Sequence, residues 1–439
     1  MQDQLSCDFV LWSPIASQFI RAQAALCVFH VTRIRNGALN GGMTGTGLIR
    51  SGSETGCWPL AAGAPRHPAG QSLSWRAARP GLRRNRQGDD FFSVGLFVPL
   101  SSGAAVWGPS CLACAELAVS EINRAGGLQG REVRVITVDA GADPADVAEA
   151  ADALLEDNLL DAIVGMHISA VRTVLAPRVG GRVPYIYTPL YEGGETAAGV
   201  YAIGETPEDQ LLPALSWATA ERRIQRWALI GNDYVWPRAS HAQARRFIRN
   251  LGGAVAAEAY LPLGTEDFEP CLDALEKIQA DAVLLSLVGQ DAIAFNRAFG
   301  ARGMHRRLLR LSMSIDEDTL LGIGAENTAN LIAAAGYFTG VDTDANHAFI
   351  ERYRSHFGVR APVPSTLGQS IYEGFAFLQE AQATAPGRPV FIPGARGTTY
   401  LDNSRKIGPI YLAEADGVEF RLLPQARQPR GPLRSRLWN

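Results

Sequence analysis

The side chains best able to do chemistry fall into a few short clusters. Cys111 and Cys114 form a C-x-x-C pair, the spacing of redox and zinc motifs, but no second pair or spaced histidines complete a metal site. They open a stretch with helical apolar spacing and are expected to pack as helix residues. His167 and Ser169 stand two apart after an apolar run. A nucleophile needs an oriented base and an oxyanion hole, and no segment supplies them. Ser169 reads equally well as a helix cap or as a hydroxyl holding a carbonyl or carboxylate oxygen beside backbone N–H groups. Tyr185, Tyr187, Thr188 and Tyr191 crowd one strand end, and Tyr234 and Trp236 stand two apart at a strand-to-helix junction. Such rings exclude water while their polar tips bond, and aromatics facing each other across a cleft can clamp a flat amide or urea. The sequence carries no GxxxxGK[ST], GxGxxG after its first strand, HExxH or GxSxG motif. No catalytic residue, metal or cofactor is therefore assigned, and an enzyme is the minor reading.

The elements that must position these residues alternate in type. FSVGLFVPL, VRVITVDA, DAIVGM and PYIYTPL read as strands, and the segments between them are apolar at helical spacing. After YAIGETPED the rhythm restarts with LLPALSWATAERR, RWALIGND, PRASHAQARRFIRNLGG and AVAAEAYLPL, and continues through DAVLLSLVG, RLLRLSM and LIAAAGYF. Two later helices precede a β-rich end, in which an ADG turn joins two alternating runs as a hairpin. The fold class is α/β: two Rossmann-like lobes with parallel sheets, joined by several crossover strands, with a cleft at the carboxyl ends of the strands. Residues 91–205 plus 341–385 are assigned to lobe 1, and 206–340 plus 386–439 to lobe 2.

With 439 residues, 47% hydrophobic and 19% charged, the chain can bury two cores. A net charge of −3 argues against direct nucleic-acid binding, which needs a concentrated basic surface. Residues 1–90 differ from the rest, with ten Arg and no Lys. They are expected to be disordered or to reflect an over-extended start. Phe9 to Thr32 is a poor secretion signal because Arg21 interrupts it and no basic segment leads it. No membrane insertion is expected. The location is cytoplasmic if the given start is right and periplasmic if it is not.

The set VGMHIS, YIYTPLYEG, GNDYVWPR, SLVG and AAGYF resembles the type I periplasmic-binding-protein receptors for branched-chain amino acids, amides and urea. The likeness runs from about Phe92 to the β-rich end. Within that group it is most similar to the amide-binding negative regulators of amidase operons and to the urea or short-chain-amide proteins of ABC importers. The resemblance implies a ligand site of His167, Ser169, Tyr187, Thr188, Pro189, Tyr234, Trp236, Val288 and Gly289. Ser169, Tyr187 and Tyr234 would bind the amide group, while His167 and Trp236 limit ligand size. Thr188 and Pro189 depart from the usual order, in which the threonine follows two residues after the tyrosine. The helix expected before the final strands is reduced to TAPGRPVFIPGARG. Implied partners are the small amide, urea or amino-acid ligand and either an RNA-binding antiterminator or an ABC permease.

Overall fold

A computed structural model describes residues 91–385, 388–402 and 405–424. The reading of 1–90 as a disordered or misassigned extension lies outside them.

The first lobe starts with β1 (Phe91–Val98), α1 (Gly108–Arg124), β2 (Glu132–Asp139) and α2 (Pro144–Glu156). It goes on through β3 (Ala162–Gly165), α3 (Ser169–Val179), β4 (Tyr185–Tyr187) and β5 (Val200–Ala202). Its sheet has the order β2-β1-β3-β4-β5, and every pair is parallel. β1, apart from Ser93, and β3 are apolar, and beyond Phe91 both are buried on both faces, as a helix-covered parallel strand requires. Short β5 is not read from the sequence, which marks only a restart of the rhythm after YAIGETPED.

The second lobe contains α4 (Pro207–Arg222), β6 (Arg226–Asn232), α5 (Val235–Asn250), β7 (Ala254–Leu261) and α6 (Glu269–Glu276). β8 (Ala282–Ser286), α7 (Gly289–Ala301), β9 (Leu309–Ser312), α8 (Glu317–Ile323) and β10 (Leu331–Ala335) follow. The chain then returns to the first lobe as α9 (Asp344–Phe357) and α10 (Thr366–Ala383), the latter packed along α1. After β11 (Val390–Gly394), β12 (Gly397–Asp402) and β13 (Arg405–Ile407), it ends as the hairpin β14 (Tyr411–Asp416) and β15 (Glu419–Leu422). The second sheet runs β15-β14-β10-β9-β8-β6-β7, parallel except where the hairpin adds antiparallel to β10.

Two sequence expectations change here. TAPGRPVFIPGARG is not a remnant of a helix: Val390–Gly394 pairs antiparallel with β12. The alternation in VFIPG, with Val390 and Ile392 buried and Phe391 exposed, is a strand pattern. Strands β11, β12 and β13, placed from sequence with lobe 2, form a separate three-stranded sheet whose β11 packs on α10 in lobe 1. Of the segment given to lobe 2, the hairpin 411–422 joins its sheet.

All three interlobe crossings pass one buried ionic cluster. Glu205 lies on the first crossing, Gly336 on the second and Lys406 next to the third. Arg396 grips Glu373 with two bonds of 2.8 and 2.6 Å and also pairs with Glu205, while Lys406 reaches Glu373 at 2.6 Å. A side chain at Gly336 would overlap Arg396 and Glu205. Two cations against two carboxylates make the cluster neutral, the condition under which charges can be buried at all.

Candidate functional site

Strand order reverses between β1 and β3 in one sheet and between β6 and β8 in the other, and ligands of open α/β sheets bind at such reversals. The loops leaving these strands meet around a cavity of about 30 Å³. Lobe 1 lines it with Trp107, Met166, His167, Ile168, Ser169, Tyr187, Pro189 and Leu190, and with Leu367 from α10. Lobe 2 contributes Tyr234, Trp236, Val288 and Ser314.

Seven of the nine residues expected from sequence are thus brought together. Thr188 is turned away: its hydroxyl lies 3.0 Å from Ser370 Oγ, beneath the wall, because successive strand residues face opposite sides. Gly289 lines no part of the cavity either. Its φ of +54° suits glycine, and a side chain there would strike the backbone of Gly103 in the opposite lobe. Trp107, Met166, Ile168, Leu190, Ser314 and Leu367 were missed. Met166 follows β3 directly, Ser314 stands two residues past β9 and Trp107 closes the loop after β1, so the rule that function sits beyond strand carboxyl ends could have found them.

His167 is fully engaged within the protein. Its Nδ1 donates to Ile168 O at 3.2 Å, and its Nε2 accepts from Tyr185 Oη at 2.9 Å. Burial, opposed by the bond to Ile168 and aided by Arg172, pushes its pKa down to about 4, so the ring is neutral near pH 7. Neither nitrogen is left to take a proton from Ser169. Tyr187 Oη donates to His167 O at 2.7 Å, with Ser169 Oγ 3.4 Å away. Burial also raises the Tyr187 and Tyr234 hydroxyls above the ordinary phenol range, so both stay protonated. Tyr234, just before α5, and Trp236, in its first turn, stand with ring centroids 6.4 Å apart.

Four helices open onto the cavity with residues that supply no side-chain cap: Trp107 before α1, Ile168 before α3, Tyr234 before α5 and Val288 before α7. The first-turn N–H groups of α3, α5 and α7, with the positive ends of their helix dipoles, thereby face the site, whereas α1 continues from a 3-10 turn in which Gly108 N donates to Ala105 O. By contrast, α2, α8, α9 and α10 are capped by Asp143, Asp316, Thr343 and Ser365. Behind the lobe 1 wall, Arg172 pairs with Glu192 and Glu195 and lies 5.5 Å from the Tyr187 ring centroid. Loop geometry in lobe 2 comes from Asn232, which donates to Asp291 at 2.6 Å and accepts from Val288 N at 2.9 Å.

A second cluster has the order of a hydrolytic triad: Ser286 Oγ is 3.2 Å from His241 Nε2, and His241 Nδ1 is 3.5 Å from Glu258. Ser286 and His241 are fully buried and line no part of the cavity, so a substrate has no path to them. The cluster ties α5 to β8 and β7.

The periplasmic binding protein family model matches residues 92–418. The chain belongs to this family. Periplasmic binding proteins of solved structure share its fold at low sequence identity. The branched-chain amino acid transporter substrate binding protein LivJ from Streptococcus pneumoniae, in complex with isoleucine, is 19% identical, with a TM-score of 0.67 over 76% of this chain and 99% of that one. An ABC transporter solute binding protein from R. palustris, in complex with 4-hydroxybenzoate, is 17% identical with a TM-score of 0.66, over 76% and 96%. Leucine binding protein LivK from Thermotoga maritima is 17% identical with a TM-score of 0.65, over 76% and 97%.

Proposed function

We propose that this periplasmic binding protein is a non-catalytic solute receptor whose lobes close on a small neutral amide, either a short-chain aliphatic amide or urea. The observation that carries this reading is the lining: thirteen residues with no carboxylate, no Lys or Arg, and a neutral histidine. A charged ligand buried there would lose its water without a counter-charge, at a cost of several kcal/mol. A neutral amide offers a carbonyl oxygen to uncapped helix N–H groups and N–H groups to Tyr187 and Ser169. The small cavity suits a ligand of a few heavy atoms.

The second reading is a branched-chain amino acid, whose carboxylate also suits uncapped helix starts. Its ammonium group, however, meets no carboxylate in the lining. A membrane permease of ABC type is the favoured partner, since similar structures are named as ABC transporter proteins. An RNA-binding antiterminator is the alternative. Export to the periplasm accompanies the first and cytoplasmic retention the second.

The test is thermal unfolding of the full chain with formamide, acetamide, butyramide, urea, leucine and a dipeptide amide. A ligand at about a hundred times its Kd adds roughly 2.7 kcal/mol. Stabilisation by an amide or urea supports the reading, and stabilisation by leucine alone replaces it with the second. Tyr234→Ala should then weaken the identified ligand at least about tenfold.

A further inference from the structure

Trp236 is only 2% exposed, yet its indole Nε1 has no hydrogen-bond partner among the described residues. An indole N–H can only donate, and a buried donor without a partner is costly enough to be rare. Of the residues lining the cavity, Trp236 alone holds such a buried orphan side-chain atom. Three other polar side chains of the lining already direct their protons into the protein. Trp107 Nε1 donates to Asp316 at 3.2 Å, Tyr187 Oη to His167 O at 2.7 Å, and Ser314 Oγ to Leu287 O at 2.8 Å. With their protons directed inward, Tyr187 and Ser314 can offer a ligand lone pairs only. The site therefore has a polarity: acceptors at Tyr187 and Ser314, and an obligate donor at Trp236.

We propose that Trp236 is a specificity contact whose indole N–H donates to an acceptor oxygen of the bound ligand, rather than an apolar limit on ligand size. The contact rests on the solute-receptor reading and adds which end of the ligand faces α5. For an amide or urea, the carbonyl oxygen points at Trp236 and the N–H groups toward Tyr187 and Ser314. Trp236 contributes both a flat face and a directed bond, so phenylalanine keeps most of the first and removes the second.

The experiment measures the affinity of the full chain and of Trp236→Phe for acetamide, urea, leucine and benzoate by calorimetry. Acetamide and urea are also compared with thioacetamide and thiourea, whose sulfur is a weak acceptor. For any compound bound by the wild type, Trp236→Phe should lose about tenfold or more. For an amide or urea ligand, the oxygen-to-sulfur change should weaken wild-type binding while leaving Trp236→Phe within about twofold. An unchanged affinity in Trp236→Phe overturns the contact. If leucine or benzoate alone binds and Trp236→Phe still loses affinity, the amide reading falls and the contact stands. Binding of none of the four compounds sinks both. The ligand-side comparison keeps the contact testable on wild-type protein should Trp236→Phe fold poorly, since equal wild-type affinity for an amide or urea and its thio analogue also overturns it.

Discussion

Trp107, from lobe 1, donates its indole N–H to Asp316 of lobe 2 across 3.2 Å, and both groups are buried. The bond crosses between the lobes beside the cavity, since Trp107 also lines it. Asp316 in turn caps α8, accepting from Thr319 N at 3.1 Å and Thr319 Oγ1 at 2.9 Å. Trp107→Phe removes a donor that comes from the other lobe, from which Ser365 also bonds Asp316. It should weaken ligand binding by about 1–2 kcal/mol, roughly five- to thirtyfold, while α8 stays capped. Calorimetry and far-UV circular dichroism check the two parts separately.

Gly289 sits against Gly103 where the lobes touch, with φ +54°. Gly289→Ala adds a methyl that the closed arrangement cannot hold, whereas parted lobes can. A backbone cost of about 1 kcal/mol accompanies it in either state. The expected outcome is more than about tenfold weaker ligand binding, with a radius of gyration by solution scattering that no longer falls on ligand addition. A variant that binds and compacts like the wild type would falsify this placement of the closing contact.

Consecutive carboxyls Asp316, Glu317 and Asp318 are held from water, each with an oxygen lacking a partner among the described residues. Burial, with mutual repulsion, raises Glu317 to about 7 and Asp318 to about 8, and burial raises Asp316. In the unfolded chain such groups titrate near 4. The folded protein therefore binds more protons between about pH 4 and 8, and stability from this cluster is lost as pH rises through that window. His167 and His241, lowered to about 4 by burial, act oppositely, losing stability as pH falls below about 6.5. From pH 6.5 to 8 the carboxyls dominate, so Tm should decline there. A Glu317→Gln, Asp318→Asn double variant should flatten the decline, as scanning calorimetry at several pH values would show.

The ionic cluster at the crossings should tolerate loss of one member poorly. Burial alone would raise the Glu373 carboxyl, but Arg396 and Lys406 hold it well below the usual range. Glu373→Gln leaves both cations facing Glu205 alone and should cost about 3–5 kcal/mol. Urea unfolding measures this, and a loss below about 1 kcal/mol would contradict the assigned role.

Much of the lobe plan was legible because apolar runs bounded by glycine and proline announce buried parallel strands. VGLFV and AIVG can pack nowhere else. Short elements were not legible. β5 has three residues, and α8 begins with three acids whose burial no local pattern announces. Likewise, β11 reads as a shortened helix and β12 and β13 only as part of a β-rich end, since which lobe a short sheet packs on depends on residues far away in sequence.

The sequence by itself determined the α/β alternation, the strand ends where function gathers, and seven residues that line one cavity. Period and turn chemistry are local properties and survive without a partner. Only the tertiary structure decided that Thr188 faces Ser370, that Gly289 meets Gly103, and that Trp236 keeps an unpaired donor. Each of these depends on which groups, distant along the chain, consume or block a neighbour's bonding capacity once the lobes meet.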